Sequence, residues 1–151
     1  MGMADQELAS RGQRLGGALL DAVIFLVIEL PVMFMFGVFQ QITRGQGMTF
    51  SQTVGFFVFH LIVFAAVNGW LLANRGQTVG KKVAGTRIVD LAGNLRPFAT
   101  VFFVRYALLG AIANIPIAGN LFCLVDELFV FRKDKRCIHD LMAGTQVVRA
   151  Q

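Results

Sequence analysis

The feature that most constrains this chain is an apolar run over residues 15–39, followed after the polar loop 40–52 by a second over about 54–73. At 1.5 Å per residue in a helix, each is long enough to cross the ~30 Å hydrocarbon layer of a bilayer. A third apolar region, 97–131, is too long for one straight span. Pro116 and Gly119, within Asn114-Ile115-Pro116-Ile117-Ala118-Gly119-Asn120, divide it into 97–115 and 120–131. Composition points the same way. Hydrophobic residues make up 56% and charged residues 15%, against roughly 45–50% and 25% in soluble domains. A soluble fold of 151 residues has no interior for so much apolar side chain. The expected fold class is an all-α membrane protein, one domain over 1–151 with about four transmembrane segments. This excludes a soluble enzyme, a disordered tail and a disulfide scaffold. The first run is a poor cleavable leader: Asp21 interrupts it, Asp5 and Glu7 precede it, and no small-x-small site follows before Glu29. It is expected to be retained.

Basic residues set the expected topology. Arg11 and Arg14 precede the first span; Arg75, Lys81, Lys82, Arg87 and Arg96 fill 74–96; Arg132, Lys133, Lys135, Arg136 and Arg149 lie in 132–151. The 40–52 loop carries only Arg44. The positive-inside rule then places both termini and the 74–96 segment in the cytoplasm, in a plasma (inner) membrane. The region 97–131 must be a hairpin, whose second arm, 120–131, is short or re-entrant. The net charge of +5 reads as a topology signal rather than a sign of nucleic-acid binding, and the basic face should attract anionic lipid headgroups.

One internal similarity stands out. Ala84-Gly85-Thr86-Arg87-Ile88-Val89-Asp90 matches Ala143-Gly144-Thr145-Gln146-Val147-Val148-Arg149, each copy about ten residues after a span and a basic stretch. A tight glycine followed by branched residues suits a short strand. Two tandem halves, each a helix pair, a basic turn and a strand, would form a parallel repeat whose strands pair as a cytoplasmic ribbon. The competing reading is chance similarity in a chain rich in Gly and Val.

Three stretches carry a family resemblance. Arg14-Leu15-Gly16-Gly17-Ala18-Leu19-Leu20-Asp21 resembles the opening of RDD family membrane proteins, which are named for an arginine and two aspartates. Gln77-Thr78-Val79-Gly80-Lys81-Lys82 with Gly85-Thr86-Arg87-Ile88-Val89-Asp90 resembles the family's central segment, and Arg136-Cys137-Ile138-His139-Asp140-Leu141-Met142-Ala143-Gly144-Thr145 its C-terminal signature. The similarity covers about 11–149, and the second family aspartate falls on Asp126 or Asp140. The resemblance implies a role in transport, cation/proton antiport having been proposed for some members. Arg14, Lys81, Arg136, His139 and Asp140 are the signature residues on the cytoplasmic side.

Depth arithmetic groups the charges inside the spans. Asp21 lies about 10 Å in from Arg14, Arg105 about 12 Å from Pro97, Asn68 about 9 Å from Asn74 and Asp126 about 8 Å from Phe131. Unpaired charges at such depths are costly, so these side chains are expected to face inward and pair. Arg105, with its fork of donors, is expected to bridge Asp21 and Asp126. The layer is either a static staple or a site exchanging a monovalent cation against protons. Deeper, Glu29 and His60 lie about 22 and 21 Å in. They either pair as a proton relay or, as expected here, stay apart, Glu29 reaching the outer headgroups and His60 a backbone carbonyl.

Other motifs are weaker. Gly76-Gln77-Thr78-Val79-Gly80-Lys81-Lys82 is one residue short of a P-loop between its glycines and lacks the following Ser/Thr, so no nucleotide and no cofactor is expected. Cys137 and His139 lack a second Cys/His pair, Cys123 lies in the fourth segment, and a closed zinc site is not expected. Both thiols should be free. Asp140 is expected to cap the short stretch 141–143, or to take a charge-assisted bond from Arg14 or Lys81. No enzyme constellation is visible. The leading expectation is a small ion-coupled carrier working as a homo-oligomer; the alternative is a non-transporting scaffold or accessory subunit.

Overall fold

The computed structural model describes residues 6–150; Asp5, one of the two acids ahead of the first span, lies outside them. Two long apolar helices dominate: α1, Arg11–Met35, and α3, Phe50–Arg75. Each starts at a reciprocal cap. Ser10 accepts from the Gln13 backbone N–H while the Gln13 side chain accepts from that of Ser10, and Thr49 and Gln52 repeat the arrangement. Helix α1 stops at Met35 rather than running to residue 39, because Gly37 takes a left-handed conformation, and the short helix α2, Val38–Thr43, fills part of the expected loop. Both long helices fit membrane spans. Leu15, Leu19, Val23, Leu26, Val27, Val58 and Ile62 are exposed along them, as fits helices whose outer faces meet lipid.

Helix α3 ends at Gly76 (φ 63°), whose carbonyl accepts from Ile88 N at 2.7 Å. A Cβ at Gly76 would lie 2.3 Å from the Ile88 carbonyl oxygen, so glycine is required by space as well as by backbone angle. The chain then makes α4, Val79–Val83, and strand β1, Thr86–Asp90. A helical segment follows whose Thr100–Ala107 part is π-helical and continues into α5, Leu108–Ala113. After a turn at Pro116 comes α6, Ala118–Leu128, only 11 residues long. The tail forms α7, Ile138–Ala143, and strand β2, Thr145–Arg149.

The fold is mostly helical with one β element. Strands β1 and β2 pair antiparallel, Thr86 opposite Arg149 and Asp90 opposite Thr145. Residues 7–9 extend the ribbon: Ala9 N donates to Val147 O, and Arg149 N to Glu7 O. Ile88, Val89, Val147 and Val148 are buried. The core therefore sits where the ribbon meets the helix ends, uniting Ala9, Ile88 and Val147 with Phe25, Phe64, Leu72, Val101 and Phe102. Above it Phe25 stacks on Phe64, which meets Phe102 and Tyr106. This compact base carries the buried polar residues; the spans beyond it present apolar side chains outward.

Candidate functional site

The two short helices α4 and α7 gather the polar residues. Helix α4 crosses α1 at minimal distance: a Cβ on Gly80 would lie 2.1 Å from the Gly17 carbonyl oxygen. That approach lets Asp21 on α1 accept from Gly80 N at 2.7 Å and from the Thr78 hydroxyl. From α3, Asn68 accepts from Val79 N at 2.8 Å. Two side chains from two spans thus satisfy the first N–H groups of α4, which have no partner within the helix.

Helix α7 is gripped by the two helical segments that follow β1 as well as by α1. Asp126 on α6 accepts from His139 N at 2.9 Å and meets His139 Nδ1 at 2.6 Å. Arg105, from the π-helical segment, pairs with Asp140 and donates to the Thr145 hydroxyl at 2.9 Å. Asp140 also caps its own helix, accepting from Cys137 N at 3.1 Å, and pairs with Arg14 of α1. The matched positions extend further. Thr86 and Thr145, each just after a left-handed glycine, donate to the carbonyls of Lys81 and Asp140, both at 3.4 Å.

The expected Asp21–Arg105–Asp126 bridge is absent. Arg105 turns to Asp140, Asp21 holds α4, and Asp126 holds His139. Depth along a helix fixes height but not azimuth, and Asp140 reaches this layer from the tail, outside any span. Asn68 hydrogen-bonds to none of the three charges and instead accepts from Val79 N. Of the two expectations for Asp140, the ion pair occurs, with Arg14 rather than Lys81 as the cation; the cap differs, because Asp140 lies inside α7 and accepts from Cys137 N at the helix start instead of capping 141–143 from outside. Lys81 instead lies with Nζ 5.9 Å from the Tyr106 ring centroid. Arg136 donates to the backbone carbonyls of Thr145 and Asp140, tying the tail together. Higher up, the expected separation of Glu29 and His60 gives way to contact: His60 Nδ1 lies 2.6 Å from Glu29 Oε1, with His60 packed on Phe25. Two partly exposed polar groups in an apolar environment gain more from each other than from reaching separate partners. Sequence reasoning missed Thr78, Gly80 and the role of Thr145. The repeated Gly-Thr pair was the available signal for the last.

Electrostatically the base is crowded. Two guanidinium groups share the single buried carboxylate of Asp140. Burial and the charge of Arg105 push His139 down to about 4, against the pull of Asp126. His139 is therefore neutral near pH 7, with Nδ1–H donating to Asp126. Burial also raises the Cys137 thiol. Asp126, Cys137 and His139 bring donor atoms within 4.8 Å of one another, adding a third donor to the Cys–His pair. Arg14 lies 3.6 Å from the Cys137 sulfur, and the two arginines beside this trio oppose a further cation.

A family model for the RDD family matches residues 8–144. The chain belongs to the RDD family. A relative from Bacillus subtilis (strain 168), named "Uncharacterized protein YckC", is 31% identical over 145 residues, covering 91% of this chain and 82% of its own length. No solved structure matches the chain. The three RDD signature stretches thus converge in space: Arg14, Asp21, Thr78, Gly80, His139, Asp140 and Thr145 all belong to the base that holds α4 and α7.

Proposed function

We propose that this RDD family protein is a proton-coupled carrier of a monovalent cation in the plasma (inner) membrane, with both termini cytoplasmic, acting as a homo-oligomer and not as an enzyme. The observation that carries the reading is the Glu29–His60 pair, a carboxylate and an imidazole 2.6 Å apart inside two otherwise apolar spans. An ionisable pair in a span marks an ion or proton path. The partial exposure of both side chains favours a second copy covering them. In this reading the Arg14–Asp140–Arg105 cluster closes the cytoplasmic end, and Asp21 and Asp126 are the carboxylates a cation would meet as the clasps on α4 and α7 loosen. The paired clasps support four membrane segments in two parallel halves, the segment of α6 being short or re-entrant. Neither nucleic acid nor cofactor has a part in this scheme.

Purified protein in liposomes tests it. Na⁺, Li⁺ or K⁺ flux coupled to protons, abolished by Asp21→Asn and by Glu29→Gln, is the expected result; liposomes without flux under all these gradients overturn it. A second reading, a non-transporting scaffold or accessory subunit, is favoured by one observation. The carboxylate and amide oxygens of Asp21, Asn68 and Asp126 are engaged by hydrogen bonds within the chain.

A further inference from the structure

A cleft of about 450 Å³ opens between the start of α1, the helical segment around Arg105 and the end of α6. Its polar floor carries Arg14, Lys81, Arg105 and Tyr106, with Arg11 at the rim. Its walls are Leu15, Ala18, Leu109, Leu128 and Phe131. Leu15, Leu128 and Phe131 remain more than half exposed, so the apolar wall continues onto the lipid-facing surface of the spans.

The floor has an excess of positive charge. Arg14 and Arg105 share one carboxylate, Asp140, and Lys81 makes no ion pair among the described residues. The acids facing the cleft or lying behind it are Glu127, Asp140 and Asp126, the last committed to His139. The floor also has unused donors. Arg105 is only 3% exposed, and its Nε and the buried Tyr106 hydroxyl beside it make no well-formed hydrogen bond. Buried donors without acceptors are rare in folded proteins and call for an acceptor. A basic floor with spare donors, under an apolar wall open to lipid, matches one ligand chemistry: a phosphate-type oxyanion carrying an apolar tail.

We infer that this cleft is a specific binding site for one anionic phospholipid. Its phosphate is held by Lys81, Tyr106 and the arginines, and an acyl chain lies along Leu15, Leu128 and Phe131. The site differs from a general attraction of basic surface to anionic membrane because it is concave, has buried donors and takes one lipid per chain.

The test measures the unfolding temperature of the full-length protein in neutral detergent micelles, titrated separately with phosphatidylglycerol, phosphatidylcholine and inorganic phosphate. Native mass spectrometry counts bound lipid in parallel. Phosphatidylglycerol should raise the unfolding temperature saturably with one lipid per chain, while phosphatidylcholine and inorganic phosphate leave it nearly unchanged. Lys81→Gln should weaken the phosphatidylglycerol response by about tenfold or more, Tyr106→Phe by less, and Lys81→Arg should retain it. Lys81 is partly exposed, so its loss does not threaten folding as loss of Arg14 or Arg105 would. An equal response to phosphatidylcholine overturns the proposal, as does an unchanged phosphatidylglycerol response in Lys81→Gln. A full response to inorganic phosphate alone overturns the lipid as ligand and leaves a free anion site. The outcome is independent of ion flux.

Discussion

Helices α4 and α7 occupy matched places in the chain and are held by opposite chemistry. Asp21 and Asn68 hold α4 through its backbone N–H groups and its Thr78 cap, and its Gly80 is there to let α1 approach. Helix α7 is held through side chains as well as backbone: His139 against Asp126, and Asp140 against both Arg105 and Arg14. The first clasp is a steric and hydrogen-bonded joint that tolerates little change of volume. The second is a buried charge cluster that tolerates little change of charge. Ion-pair chemistry has thus concentrated in one of two similar frames, and that frame also reaches back to α1 through Arg14.

The largest expected effect tests the charge cluster. Asp140→Ala leaves two guanidinium groups without their carboxylate and should cost about 3–5 kcal/mol, the range for breaking a buried pair from one side. The matched Lys81→Ala in the first frame should cost less than about 1 kcal/mol. Unfolding temperature and folded yield in detergent read both, and equal losses would break the comparison. Next comes the steric joint. Gly80→Ala forces α1 and α4 apart and should cost about 3 kcal/mol, at the upper end for overpacking, whereas alanine at the matched His139 brings no such clash. Similar losses by denaturant titration for the two would refute the distinction.

A smaller effect depends on pH. The folded His139 titrates near 4, below its unfolded value of about 6.5. Between these values the unfolded chain binds the extra proton, so this group's stability contribution is present above about 6.5 and is lost as pH falls toward 4. From pH 7 to pH 5 the loss should be about 2 kcal/mol, and His139→Asn should flatten the profile over that window. A profile unchanged in the variant would show that the α7 clasp is not the acid-sensitive one. The smallest effect is a control outside both frames. Glu7 and Arg149 pair at 2.8 Å on the surface, and Glu7→Gln should cost under about 1 kcal/mol, less at high salt.

Much of this architecture is legible in the chain. The two long spans follow from the length of their apolar runs. The pairing of β1 with β2 follows from two copies of Ala-Gly-Thr with branched residues after them, since a left-handed glycine and alternating burial suit a short ribbon. The polar residues of the base were also legible as residues: Asp21, Asn68, Arg105 and Asp126 stand out because polar groups are scarce inside apolar segments. Their partners were not legible. Depth along each helix put the four in one layer, yet no hydrogen bond or ion pair joins any two of them; each instead holds one of the short helices α4 and α7.

By itself, then, the sequence determined that two long apolar helices fit membrane spans and that a few charged groups must find partners within the protein. Those outcomes depend on transfer energies and local backbone preferences, which act residue by residue. Only the tertiary structure decided that Arg105 meets Asp140, that Asp21 meets Gly80 and that Glu29 meets His60. Partner choice depends on helix azimuth, on the close crossing allowed by Gly17 and Gly80, and on a tail that folds back against the helix carrying Arg105. These are set by the packing of the whole chain, and no single segment encodes them.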